Sequence, residues 1–182
     1  MGLRGRSNYP EANCFFVTTT CYKWHHLLAD DSCKKIICDS IDFLNSKYET
    51  CILGYVIMPN HIHLILFFPK RKLLSDWMRD LKKFTSVKIR QQIERCGNIE
   101  LLERLRVPEK KQVFKVWEDR FDDVILLNSQ VLNTKLDYIH QNPLQEHWNL
   151  VSKPEAYQFS SAAYYELRIQ SNCVVTDFRE FF

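Results

Sequence analysis

Hydrophobic and polar positions change their spacing several times along the 182-residue chain, and each change marks an element. CFFVTTTCY (14–22) has the β-branched and aromatic content of a strand. Asp30, Asp31 and Ser32 then offer N-cap chemistry, and Cys33, Ile36, Ile37, Ile41 and Leu44 follow at the spacing of one apolar helical stripe. ETCILGYVIM (49–58) predicts a second strand and HIHLILFF (61–68) a third, joined as a hairpin through the turn residues Pro59-Asn60. A long helix follows over 73–95, with Leu74, Trp77, Met78, Leu81 and Phe84 on its core side. Residues 96–111 read as a charged loop, and QVFKVWEDRF (112–121) contains a fourth strand. Asn128 or Ser129 can cap a last core helix that runs through Asn142, where Pro143 stops it. The tail 144–182 is mixed, with short helices around 160–169.

Strand, helix, hairpin, helix, strand is the βαββαβ order of a ferredoxin-like α+β fold. It predicts an antiparallel sheet with helices on one face and a C-terminal helix set beside it. Composition agrees with one globular domain over 1–182, its core at about 12–143 and an extension at 144–182. Hydrophobic residues make up 46% of the chain, and 4 Gly and 6 Pro are too few for a disordered or fibrous chain. Seven cysteines, an odd number with no C-x-x-C, argue against a disulfide framework or thiolate zinc site and for reduced thiols in a cytoplasm. MGLRGRSNYP lacks the apolar run of a signal peptide, and no apolar stretch approaches the roughly 18 residues of a membrane span. The expectation is a cytoplasmic protein that makes no use of a membrane.

Net charge is only +3, but its distribution is uneven. Between Lys70 and Arg95 nine Lys/Arg stand against Asp76, Asp80 and Glu94, which leaves the rest of the chain net negative. On the predicted helix, Arg79, Lys82, Lys83, Ser86 and Arg90 lie opposite the apolar side. A rigid row of cations suits a phosphate backbone.

Two motifs carry candidate chemistry. His61 and His63 alternate with Ile62 and Leu64 along a strand, so both imidazoles share one face, where two neutral rings can reach one metal ion. An ordinary buried histidine beside an exposed one would give the same spacing. In LDYIHQNP (136–143), Tyr138 and Asn142 are four residues apart on one helix face, beside the core positions Leu132, Leu136 and Ile139. An amphipathic tyrosine ahead of a helix stop would look the same.

MPNHIHLIL followed by DYIHQNP resembles the REP-associated tyrosine transposases, IS200-like members of the single-tyrosine HUH superfamily, over roughly residues 9–165. The resemblance implies His61 and His63 as metal ligands, Tyr138 as nucleophile, and Asn142 at the position where the wider family completes the metal site with Gln. His140 belongs to the motif, but two helix positions turn it about 200° from Tyr138, which suggests a structural or supporting role. The implied cofactor is Mg²⁺ or Mn²⁺. The implied substrate is single-stranded DNA beside a hairpin of the REP-palindrome kind, gripped by Arg79, Lys82, Lys83 and Arg90. Cleavage would leave a 5′-phosphotyrosine and a 3′-OH, and the enzyme would act as monomer or homodimer. Two other readings remain open: a non-catalytic binder of structured nucleic acid, and a His-liganded metal hydrolase that uses water.

Overall fold

The computed structural model describes residues 11–70, 73–107 and 114–182. The leader residues 1–10, Arg71 and Lys72 of the basic run, and the first two positions of the expected fourth strand lie outside them. Four strands form one sheet: β1 (Cys14–Thr20), β2 (Cys51–Ile57), β3 (His61–Phe67) and β4 (Asp122–Ile125). Their order is β2-β3-β1-β4 and every neighbouring pair is antiparallel, so the ferredoxin-like α+β expectation holds.

Helix α1 (Asp31–Tyr48) starts where the Asp30 carboxylate accepts from the Ser32 N–H, and it stops at Glu49 in a left-handed conformation (φ 53°). Helix α2 (Leu74–Arg95) packs against α1. Asp80 of α2 joins the pair, since it accepts from Lys47 at 2.6 Å and from the Tyr48 hydroxyl at 2.8 Å. Tyr55, the β2 partner of Leu64, lies by Cys38 of α1. The Ile62/Leu64/Leu66 face of β3 is therefore the side covered by the α1–α2 layer. Helix α4 (Ser129–Gln141), capped by Asn128 through the Val131 N–H, covers the other face. There the only space above Gly54 of β2 is taken by Leu136, Ile139 and Ile65 side chains.

The structure corrects four local expectations. The fourth strand is Asp122–Ile125, not 112–121. The segment before it does run along the β1 edge, with Trp117 bridged to Cys21 and the Glu118 N–H donating to the Thr20 carbonyl. Extra residues between these contacts and β4 break the ladder, as in a bulge. The 96–111 loop contains helix α3 (Ile99–Arg104), capped by Asn98 and braced by an Arg104–Glu100 pair one turn apart. Phe84 is 41% exposed instead of facing the core. The buried stripe of α2 advances through Met78, Thr85, Ile89 and Ile93, and this drift carries it away from Phe84 while drawing Lys82 toward the interior. Finally, the tail is firmly attached. Helix α5 (Ala162–Leu167) sits inside it, and backbone bonds from Ser161, Thr176 and Ile57 join it to the free edge of β2. Among the described residues no helix is long and apolar enough to cross a membrane.

Candidate active site

The end of the sheet face left open beyond α4 is a cavity of about 620 Å³. His61 and His63 form part of its floor, with ring centroids 4.7 Å apart, as their alternation along β3 requires. Each ring is oriented through Nδ1. His61 Nδ1 lies 2.7 Å from the Asn60 carboxamide oxygen, and His63 Nδ1 lies 2.8 Å from the Thr18 hydroxyl on the paired strand. Phe16, two residues before Thr18, stacks on His63 at 5.3 Å. With Nδ1 engaged, Nε2 is the nitrogen each ring can offer to a ligand. Burial, and then His147, pushes the His61 imidazole down to about 4. Burial, followed by His61 and Lys135, pushes His63 down to about 3. Both rings are neutral near pH 7, the form that binds metal.

Tyr138 is brought to the same cavity by α4. Its ring is 5.4 Å from His63 and 6.2 Å from Phe16, and it is 44% exposed. Leu132, Leu136 and Ile139 are buried against the sheet, which leaves Tyr138 on the flank that faces the histidines. Asn142 follows one turn later at the helix end, buried, and lines the same cavity. The four residues named from the two sequence motifs thus converge. His140 turns away instead: its Nε2 is 2.8 Å from the Ser161 hydroxyl, so it ties α4 to the tail. Burial pushes that imidazole down to about 4.

The donor set fits a hard divalent ion in part. Two neutral imidazoles and one carboxamide can be presented together, but among the described residues no three His, Cys, Asp or Glu side chains are grouped to hold a metal. The Asn142 amide, substrate oxygens or water must complete the shell.

The basic residues lie elsewhere. Arg79, Lys82 and Lys83 line a second cavity of about 560 Å³, separated from the first by the segment that contains Trp117–Asp119 and Asp122. Arg79 is paired with Asp76 at 2.6 Å and with Asp80 at 3.3 Å. Lys82 donates to the carbonyls of Glu118 and Arg120 at 2.7 and 3.1 Å, and burial pushes its ammonium down to about 8. Arg90 pairs with Glu94 and stacks over Phe114. The stripe is thus partly committed to holding its own fold.

Sequence reasoning missed Thr18, Asn60 and Lys135. Asn60 was visible only as a turn residue. Thr18 needs the β1–β3 register to be placed, and the Lys135 ammonium, 5.7 Å from the Tyr138 ring, is one helical turn upstream of the tyrosine.

A sheet with an imidazole pair on one strand and a tyrosine-bearing helix over the same cavity defines an HUH-like arrangement. The chain belongs to the IS200-like transposase family: the model described as "Transposase IS200 like" matches residues 9–142. That makes it a DNA-processing protein of the transposase class. The resemblance drawn from the two motifs is therefore borne out. Among solved structures, a REP-associated tyrosine transposase bound to a REP hairpin is similar over 91% of this chain and 87% of its own, at 19% identity and a TM-score of 0.62. A crystal structure assigned as a transposase, from Deinococcus radiodurans, is similar over 73% of this chain and 92% of its own, at 15% identity and a TM-score of 0.45. No curated protein matches the chain.

Proposed function

We propose that this protein cuts and rejoins single-stranded DNA beside a hairpin, using Tyr138 as nucleophile. The observation that carries the reading is the convergence of Tyr138 with His61 and His63 in one cavity, from elements some seventy residues apart. The phenol oxygen attacks phosphorus, a new Tyr–O–P bond forms, and the P–O3′ bond breaks with its electron pair on the leaving oxygen. The phenolic proton passes to solvent, and the departing 3′-oxygen takes up a proton to leave as 3′-OH. No water consumes the phosphotyrosine, so a second 3′-OH can attack it in reverse and rejoin DNA without ATP. The Lys135 ammonium, 5.7 Å from the Tyr138 ring, offsets negative charge on the attacked phosphate.

His61, His63 and Asn142 would hold the Mg²⁺ or Mn²⁺ that the family implies. Such an ion supplies Lewis acidity that offsets charge on the phosphate. Asn60 and Thr18 keep the two rings aimed for that task. Arg79, Lys82, Lys83 and Arg90 would grip the hairpin backbone, with affinity that falls as salt rises. The similar transposase solved with a REP hairpin supports this substrate class. One tyrosine per chain makes one cut at a time, so a full cycle takes sequential turnover or a homodimer.

The test is incubation with labelled single strands from the DNA flanking the protein's own gene, with Mg²⁺ or with EDTA. A covalent protein–DNA adduct on denaturing gels is expected with the ion, absent with EDTA and absent in Tyr138→Phe, which keeps its hairpin affinity. Cleavage without an adduct would mean a water-using hydrolase. Hairpin binding without any cleavage would mean a non-catalytic binder.

A further inference from the structure

The cavity has a second wall that the cleavage chemistry does not use. Trp24 stands 6.4 Å from the His61 ring, and Trp148 stands 6.1 Å from it on the other chain segment that reaches the site. His26 and His147 lie within 5.5 Å of Trp148. Trp24 is 60% exposed and does not pack on the hydrophobic core. Two indoles more than a hundred residues apart in sequence flank one metal-ligand candidate; half-buried Trp148 rests partly against the core, and core packing does not account for Trp24.

The backbone holds Trp24 there against its preference. Lys23 and Trp24 are successive left-handed residues, at φ 50° and 58°. Residues with a Cβ adopt that region at a cost, and such strain gathers where a side chain has to be aimed. The turn is pinned at both ends. The Lys23 N–H donates to the Glu118 carboxylate at 2.8 Å, and the Asn60 amide donates to the Trp24 carbonyl at 3.4 Å. Asn60 is the same residue whose oxygen orients His61, so one side chain sets both the indole's turn and the imidazole. Trp148 too is followed by a left-handed residue, Asn149 at φ 44°.

The charge of the cavity decides what the indoles are for. Among the described residues its lining contains no lysine or arginine. Apart from Lys135 at its edge and an ion held by the histidines, cation–phosphate pairing offers little grip on a DNA strand inside it, and a second source of affinity is needed. Exposed aromatic rings supply one, because every unpaired base has a face that stacks on them. A duplex presents no such face, since its bases are covered by their neighbours. The volume is in the range of small-ligand sites, wide enough for a base with its sugar-phosphate.

We infer that Trp24 and Trp148 stack on an unpaired nucleobase next to the phosphate that Tyr138 attacks, and so select single-stranded over duplex DNA at the cut. This rests on the cleavage reading for the place of the phosphate. The indoles' contact with single strands can be read separately.

The experiment titrates the whole chain with an oligothymidylate and with a duplex of equal length, in EDTA, while tryptophan emission is followed. Of the four tryptophans, Trp77 and Trp117 are buried, so quenching by DNA reports Trp24 and Trp148. The single strand should quench and the duplex should not. Trp24→Leu and Trp148→Leu should each weaken single-strand binding by roughly five- to a hundredfold, with hairpin affinity unchanged. Trp148→Phe keeps a ring in the half-buried position and should fall between wild type and leucine, which guards against a folding defect. Equal quenching by duplex, no quenching at all, or unchanged single-strand affinity in both leucine variants overturns the inference. If the leucine variants bind normally while wild type still forms the Tyr138 adduct, stacking fails and the cleavage reading stands. If binding depends on the indoles but no strand gives an adduct, stacking stands and the cleavage reading fails.

Discussion

Replacing Gly54 by alanine should disturb the nucleophile from inside the sheet. A Cβ at this position would lie 2.5 Å from Leu136 Cδ1, 3.3 Å from Ile139 Cδ1 and 3.4 Å from Ile65 Cδ1. Carbon atoms rest at about 3.5–4.0 Å, so the first contact is too close by about 1 Å. Leu136 is buried, and its methyl can yield only if its rotamer changes inside a packed layer or α4 lifts from β2. Such overpacking costs about 1–3 kcal/mol. The lost freedom of the unfolded chain returns about 0.4–1 kcal/mol of that. The net loss of about 1–2 kcal/mol corresponds to a melting temperature lower by roughly 2–8 °C for a chain of this size. Tyr138 sits on the lifted helix between Leu136 and Asn142, and a misplacement of about 1 Å can slow a reaction by about 100-fold. The assay pairs a thermal melt with the rate of adduct formation at saturating single-stranded DNA. Leu136→Val, which removes both δ-methyls, should restore much of the rate when combined with Gly54→Ala. If Gly54→Ala melts and reacts like wild type, the height of α4 is not set by this glycine and the reasoning is wrong.

Three further outcomes are expected. Thr18→Val leaves His63 Nδ1 without its 2.8 Å partner and should weaken Mn²⁺ binding about 10–100-fold by titration calorimetry; unchanged affinity would remove Thr18 from the site's support. The Asp80 carboxyl is held down to about 2 by hydrogen bonds from Lys47 and then Tyr48. Its folded value lies below its unfolded one, so its contribution is complete above about pH 4 and is lost as pH falls toward 2. Asp80→Asn should cost about 1–3 kcal/mol at pH 7 and flatten that acid limb, and parallel stability curves for the two proteins would reject the assignment. Lys83→Gln should lower the salt dependence of hairpin binding by about one unit of slope with the melt unchanged, while Lys82→Gln should lower the melt, because its ammonium holds the 118–120 carbonyls. Equal slopes for Lys83→Gln and wild type would place that lysine outside the interface.

What the sequence made legible follows the length of its repeating patterns. Helices α1, α2 and α4 and the hairpin of β2 and β3 have enough apolar positions at one period to be read directly, with Asp30 and Asn128 marking two starts. β4 was misplaced because VFKVW is more apolar than DDVI. The described part of the apolar segment, 114–117, is spent on a bulged bridge and on the wall against α2, where the Trp117 indole donates to Thr85, and the shorter polar one forms the ladder. The basic row was read as a free face, yet ion pairs and carbonyl contacts engage three of its four residues, a matter of tertiary neighbours that no helical wheel contains. The histidines, Tyr138 and Asn142 were legible as motifs. Thr18, Asn60, Trp24 and Trp148 were not, since each acquires meaning only from strand register or from a loop that returns across the sheet.

The tail has a consequence for any attempt to trim the protein. The family match ends at residue 142, yet the hydrogen-bonding rim of β2 is sealed by Phe159, Ser161 and Thr176 beyond it. Cut back to the matched region, the chain would present a bare strand to its neighbours and self-associate, edge to edge. Because Ser161 also holds His140 on α4, loss of the tail would loosen the tyrosine's helix at the same stroke.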